Sequence, residues 1–414
     1  VNNRSRGKNV VKCIYNYKRS KSISNSKKIV IISNGILSSQ PRVLMELNAL
    51  TSTNYEIIVI GSSPGFLKYK FVKLSSVSPA PIIKFHYQFN AFFRKVLSAF
   101  VLSYLLFYRF VISIRKVLVS ELNKIKLLSE KPDLIILHGI EHLPWVYPVV
   151  EKLKCKIILN LHEYYPLEFE DDEQWLKTTK LYYDKLLKKY GKLVDAYFVV
   201  CESIISKYKK DGLSNLYLVR NTKPFYELRP IVTNSDKLRM IHHGVCNSSR
   251  KIEFMIEVMK FLPENYYLDL MLVPDRVNYT NLINLAKDDH RIRFINPVIT
   301  EDIPLFINNY DIGIFLLPPV NFNYLNALPN KLFEYIQGRL AIVVSPNPEM
   351  KKLVEDYSVG KASKDYTPKE FANTILSISK EELNQFKINS NKAAMILNDE
   401  KECRTIKDVI KNLF

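Results

Sequence analysis

Apolar residues in this chain come in short, unbroken runs that stop at polar or glycine positions. KIVIIS at 28–33 ends at Asn34 and Gly35, and the run at 57–61 follows a stretch of helical character at 41–50. DLIIL at 133–137 ends at His138 and Gly139, and KIILNL at 156–161 at His162 and Glu163. DAYFVV at 195–200 ends at Cys201, Glu202 and Ser203, and the run at 216–220 at Asn221. Runs that are apolar at every position, rather than at alternate ones, predict strands covered on both faces, as in a parallel sheet wound with helices. Polar residues just past the strand ends fall where such sheets gather their ligands. A polar stretch at 230–237 reads as a linker, and the rhythm then resumes at 239–243, 267–273, 292–295, 312–316 and 340–344. The pattern predicts an α/β chain of two doubly wound, Rossmann-like domains facing a cleft, residues 27–229 and 238–414.

The segment 328–346, LPNKLFEYIQGRLAIVVSP, joins a helix start, a helix stop and a buried strand. Pro329 suits the first helical position, where its missing N–H costs little. Asn330 and Lys331 then stand in the first turn, where free backbone N–H groups and an ammonium attract anions, and Glu334 follows one turn later on the same side. Gly338 is expected to close the helix. An ordinary helix–strand unit of an α/β domain has the same outline.

At 414 residues and 47% hydrophobic content, the chain has material for two cores. The net charge of +19 is local: residues 1–28 hold nine Lys or Arg and no acid, and residues 84–131 hold nine against Glu121 and Glu130. This predicts a basic mobile arm at 1–26 and a second local contact with anions, rather than a nucleic-acid-binding surface, for which no module is present. In the second basic region, residues 96–108 are free of charge but too few to span a bilayer. On a helix, Arg94, Lys95, Arg109, Arg115 and Lys116 share one arc, so the helix at about 91–128 reads as interfacial, an anionic membrane surface being its partner. A core helix with a solvated basic face is the alternative. The five cysteines show no metal-ligand spacing and read as reduced structural thiols. With no apolar stretch after the basic N-terminus, the expected location is cytoplasmic, peripheral at the inner face of the membrane.

Taken in order, these anchors resemble GT-B glycosyltransferases, and most closely glycosyltransferase family 4, retaining enzymes of the surface-polysaccharide type. The resemblance rests on Pro41–Arg42–Val43 with Glu46, on NLHEYYP at 160–166, on Val200–Ser203 with Asn221, on Gly244 with Arg250, and on Pro329–Lys331 with Glu334. It implies transfer of a sugar from a nucleotide diphosphate-sugar to a glycan acceptor, with the second domain holding the nucleotide and the last helix packing back on the first. Such a transfer needs stabilisation of a departing diphosphate. Arg250, Lys331 and the amides near Asn330 could supply it without a metal, and there is no Asp-x-Asp motif, so no cofactor and no metal site are expected. Gly244 joins them as a donor-binding position. The resemblance gives Glu334 the ribose hydroxyls; a solvated helix acid is the other reading. Where the family often has a first glutamate, eight residues before Glu334, stands Asn326, which can bond sugar hydroxyls but carries no charge.

His162 and Glu163 are candidates to orient the sugar or to position or deprotonate an acceptor hydroxyl, as is His138; strand-end capping fits them equally. Gly35 allows close backbone approach to a ligand, or simply a turn. The acids at 170–173 suit a solvated loop better than a metal. The expected product is lipid-linked glycan. Two other functions fit the pattern: a nucleotide-sugar epimerase on the same fold, and a catalytically silent sugar-nucleotide binder, which Asn326 favours.

Overall fold

The computed structural model describes residues 26–75, 116–275 and 277–414. The expected arm, apart from Ser26, and residues 91–115 of the expected interfacial helix lie outside these. The remainder of that helix is present at 116–130, with Val117, Leu118, Leu122 and Ile125 exposed. Among the described residues no helix is long and apolar enough to cross a membrane.

Contacts divide the chain into two compact units. The described residues up to Asn160, with Leu193–Asp195, form one, and Leu161–Lys192 with Ala196–Phe414 the other. The first carries β1 (Lys28–Ile32), β2 (Glu56–Gly61), β3 (Lys70–Lys73), β4 (Leu134–His138) and β5 (Lys156–Leu161), in the order β3-β2-β1-β4-β5. All these pairs are parallel. Ile29 to Ile32 and Leu134 to Leu137 are fully buried, each large aliphatic side chain contributing about 1.5–3 kcal/mol. The unbroken apolar runs reflect cover on both faces. β3, with the sequence KFVK, is exposed at both ends and carries no such run.

The second unit holds β6 (Ala196–Val199) paired in parallel with β7 (Leu216–Leu218), and a six-stranded sheet. The sheet comprises β8 (Leu238–Val245), β9 (Tyr266–Val273), β10 (Ile292–Ile295), β11 (Ile312–Phe315), β12 (Ala341–Val344) and β13 (Gly360–Ala362), in the order β10-β9-β8-β11-β12-β13. Its pairs are parallel too. Met240, Leu268, Leu270, Ile314 and Val343 pack into one core with Met255, Met259 and Phe371.

The helix Asn330–Gln337 follows the predicted segment with two shifts. Pro329 is extended (ψ 155°) and caps the helix from outside rather than opening it. Gly338 is right-handed (φ −81°), and the left-handed residue that turns the chain is Arg339 (φ 63°). Gly338 is small for another reason: a Cβ there would lie 2.5 Å from Ile307 Cγ1. Arg339 is fully buried, donating to the carbonyls of Tyr226 and Gln337, both at 2.6 Å, and to Asn391 Oδ1 at 2.7 Å. Gln337 Nε2 donates to Ala394 and Leu397 carbonyls at 3.0 and 3.2 Å, and its Oε1 accepts from the Tyr226 N–H. A helix buried on every side must satisfy its polar groups in this way.

Candidate anion-binding site

β8 starts one residue before the expected span, ends two after it, and brings His242, His243 and Gly244 to its carboxyl end. Gly244 has φ 140°, a conformation that side chains disfavour. A Cβ built on it would lie 3.4 Å from Lys331 Nζ and 3.6 Å from Arg250 Nη1. Two cationic groups from different elements therefore converge on one stretch of bare backbone. Lys331 stands in the first turn of Asn330–Gln337, and Arg250 ends the turn Ser248–Arg250, which Asn247 caps by accepting from the Ser249 N–H at 3.0 Å. Asn330 is half-buried at the start of the same helix.

The surroundings of Lys331 fix its partners. Its Nζ lies 3.8 Å from the Phe315 ring centroid and 3.4 Å from His242 Nε2. His242 Nδ1 faces the Ile314 carbonyl at 3.1 Å. Because a carbonyl only accepts, Nδ1 carries the proton and Nε2 is the acceptor. Burial, with Lys331 beside it, holds His242 neutral, its pKa well below the usual range. Burial and the nearby Arg250 likewise push Lys331 well below an ordinary lysine, and Glu334 only partly opposes them. Without an anion, the ammonium form is disfavoured here.

Glu334 is also buried, and its Oε1 pairs with Lys223 Nζ at 2.9 Å. His243 Nε2 stands 3.5 Å from Oε2 without hydrogen-bond geometry and has no other partner among the described residues. Burial alone would raise the Glu334 pKa, but Lys223, His243 and Lys331 outweigh it and hold the carboxyl below its ordinary value. Burial drives His243 down to about 4, against the pull of Glu334. The solvated-acid reading of Glu334 is thus corrected: the residue is an ion-paired internal acid.

The segment after β5 belongs to this unit. Glu163 is pushed up to about 7 by burial and by Glu168, with Arg250 opposing. Its own carbonyl accepts from Tyr208 Oη at 3.0 Å. Next to it, Asn323 clamps Tyr164 at two points, accepting from its N–H at 2.8 Å and donating to its carbonyl at 3.2 Å. Glu170 accepts from the Phe322 N–H, Asp171 from Asn321 Nδ2 at 3.1 Å, and Asp172 caps Glu173–Trp175. The acidic run is therefore taken up by chain contacts. Among the described residues no group of three His, Cys, Asp or Glu could hold a metal ion.

The structure brings Gly244, Arg250, Lys331 and Glu334 together, and Arg250 acts electrostatically on Glu163. His162 is half-buried beside Glu163. Asn326 is buried, donating through Nδ2 to the Phe322 carbonyl at 2.8 Å, which ties its amide nitrogen to its own turn. Gly35, in the first unit, is left-handed (φ 81°), as a turn requires. His138, in that unit too, is buried against Glu46, with Nε2 2.8 Å from Oε2. Sequence reasoning missed Lys223, His242 and His243. The histidines end a predicted strand at the same height as Gly244, a usable signal; Lys223 stands in irregular chain, and nothing local marks it.

No family profile matches the chain, and no curated protein does. Solved structures match in shape. Sucrose-phosphate synthase from Thermosynechococcus elongatus aligns with a TM-score of 0.68 at 13% identity, covering 94% of this chain and 99% of that one. HepE from Anabaena, in complex with UDP-glucose, gives 0.67 at 11%, covering 93% and 99%. α,α-Trehalose 6-phosphate synthase from Burkholderia multivorans gives 0.61 at 12%, covering 94% and 99%. At these identities the likeness speaks to the fold, which is α/β with two sheets of parallel strands, as in GT-B glycosyltransferases.

Proposed function

We propose that this chain is a retaining glycosyltransferase that moves a sugar from a nucleotide diphosphate-sugar to a glycan acceptor, in the manner of glycosyltransferase family 4. The observation that carries the reading is the convergence of Lys331 and Arg250 on the bare backbone of Gly244. In the transfer, the bond from the anomeric carbon to the diphosphate oxygen breaks, the acceptor hydroxyl oxygen bonds that carbon, and the hydroxyl proton leaves. The negative charge that develops on the diphosphate meets Arg250, Lys331 and the helix amides near Asn330, groups already in place before the reaction. Lys331 regains its full ammonium character when an anion arrives, so its interaction strengthens with the charge it meets. Glu334 accepts the nucleoside hydroxyls, and Glu163, with a pKa near 7, is suited to exchange a proton with an acceptor hydroxyl. UDP-glucose in the HepE complex makes a uridine nucleotide the first donor to try.

The acceptor is proposed to be lipid-linked glycan of a surface polysaccharide, reached at the cytoplasmic face of the membrane. The exposed apolar residues of the helix at 116–130 and the local basic excess at 84–131 support this reading. The test is incubation with labelled nucleotide sugars and a membrane extract. Labelled lipid-soluble product is expected. Epimerisation of the free donor without acceptor, or binding without turnover, would replace this reading by one of its two rivals.

A further inference from the structure

We infer that Lys223 is a positioning residue for Glu334: supplied by the segment after β7, it occupies one carboxylate oxygen and leaves the other facing the vicinal hydroxyls of the donor nucleoside. The inference rests on the nucleotide-sugar reading above. Lys223 Nζ takes Oε1 at 2.9 Å, with both side chains more than nine-tenths buried. Oε2 lies 3.5 Å from His243 Nε2, and that nitrogen makes no hydrogen bond among the described residues. One oxygen is thus committed to a cation, and the other has no lysine or arginine partner among the described residues. A nucleoside hydroxyl donates to Oε2, while its vicinal neighbour shares the same carboxylate. Thr222 Oγ1, one residue before Lys223, is a second buried atom without a partner.

Stability alone gives little reason for the pair, because a buried ion pair is often no more stabilising than apolar packing of the same volume. The segment is held firmly: the Lys223 carbonyl accepts from the Asp399 N–H at 2.9 Å, and Glu402 Oε2 accepts from the Arg220 N–H at 3.1 Å. Its ammonium is therefore presented at a fixed place. The groups facing Glu334 are Lys223 from this segment, His243 from β8 and Lys331 from its own helix. Burial works against the carboxylate form, and Lys223 is the cation that opposes it most. Without Lys223, Glu334 takes up a proton at higher pH and loses its acceptor character as the solution turns acid.

The experiment is calorimetric titration of the full chain with UDP and, separately, with inorganic pyrophosphate, at pH 8 and pH 6. For Lys223→Met, the ratio of its UDP Kd to the wild-type Kd should grow severalfold from pH 8 to pH 6, as Glu334 without its cation takes up a proton. The same ratio for pyrophosphate should stay near one, and Lys223→Arg should follow the wild type at both pH values. Taking ratios cancels the titration of the ligands and of Lys331. A UDP ratio that does not change with pH, or pyrophosphate weakened to the same extent, would overturn the inference while the nucleotide reading stands. Wild-type protein that binds no UDP would overturn both. If Lys223→Met does not fold, Lys223→Met with Glu334→Gln removes both charges; its ratio should be flat with pH, and a persisting pH dependence would assign the titration to another group and overturn the inference.

Discussion

Two glutamates lie buried near the carboxyl ends of parallel strands, one in each unit, and their partners differ in kind. Glu46 receives His138 Nε2 at 2.8 Å on one oxygen and Asn160 Nδ2 at 2.8 Å on the other. Both oxygens have close partners, an imidazole and an amide. Glu334 has one close partner, a lysine, and lies among Lys223, Lys331 and His243, with Arg250 acting on Lys331. Basic groups outnumber the acid, and an imidazole nitrogen is left unused. The first carboxylate has a close partner on each oxygen, and the atom left without one there is Asn160 Oδ1, among the described residues. The second carries an imbalance that a bound anion and a pair of hydroxyls would remove. On the proposed reading, the neighbourhood of basic groups rather than burial alone is what sets Glu334 apart from Glu46.

That contrast can be broken most directly at the cations. Lys331→Ala and Arg250→Ala should each lower turnover by about a hundredfold to a thousandfold, the scale on which a preorganised donor to a developing oxyanion acts. Thermal denaturation should show both variants folded, and unchanged rates would remove the diphosphate role. At Glu46 the opposite result is expected. Glu46→Leu leaves two buried donors without an acceptor, costing about 2–4 kcal/mol in all, read from denaturant unfolding, while the UDP affinity of the protein that remains folded stays the same. A loss of affinity with no loss of stability would reverse the assignment of the two acids. The smallest effect sharpens the account of Lys331. Its pKa is lowered in the empty site and should rise when a diphosphate binds beside it, so binding is expected to take up protons and affinity to rise as pH falls. Calorimetry in buffers of different ionisation enthalpy measures that uptake, and a heat independent of buffer would argue against it.

Much of the architecture was legible because strands covered on both faces are apolar at every position, as KIVII at β1 and AIVV at β12 are. β3 and β13 were not, since KFVK and GKA are short and half-exposed, and their pairing depends on neighbours the local pattern does not include. The helix at Asn330 was readable from its proline, but Pro329 lies one place outside it, and the left-handed turn falls on Arg339 rather than on the glycine. A glycine's place in the sequence says that a side chain is excluded, not whether conformation or crowding excludes it. Within the site, Lys331, Glu334 and Gly244 could be chosen because helix starts and strand ends advertise themselves. Lys223 could not, since its meaning comes wholly from a partner more than a hundred residues away.

Arg339 has a consequence for how the chain is assembled. Its guanidinium is satisfied by groups at 226, 337 and 391, and the neighbouring Gln337 by groups at 394 and 397. On a ribosome, the lysine and glutamate of the anion site emerge some sixty residues before the last of these acceptors. Until the chain has grown past Leu397, Arg339 Nε and Gln337 Nε2 lack their acceptors at 391, 394 and 397. Truncation within the helix Lys380–Ile396 would therefore remove acceptors from the end of the helix that carries Lys331 and Glu334.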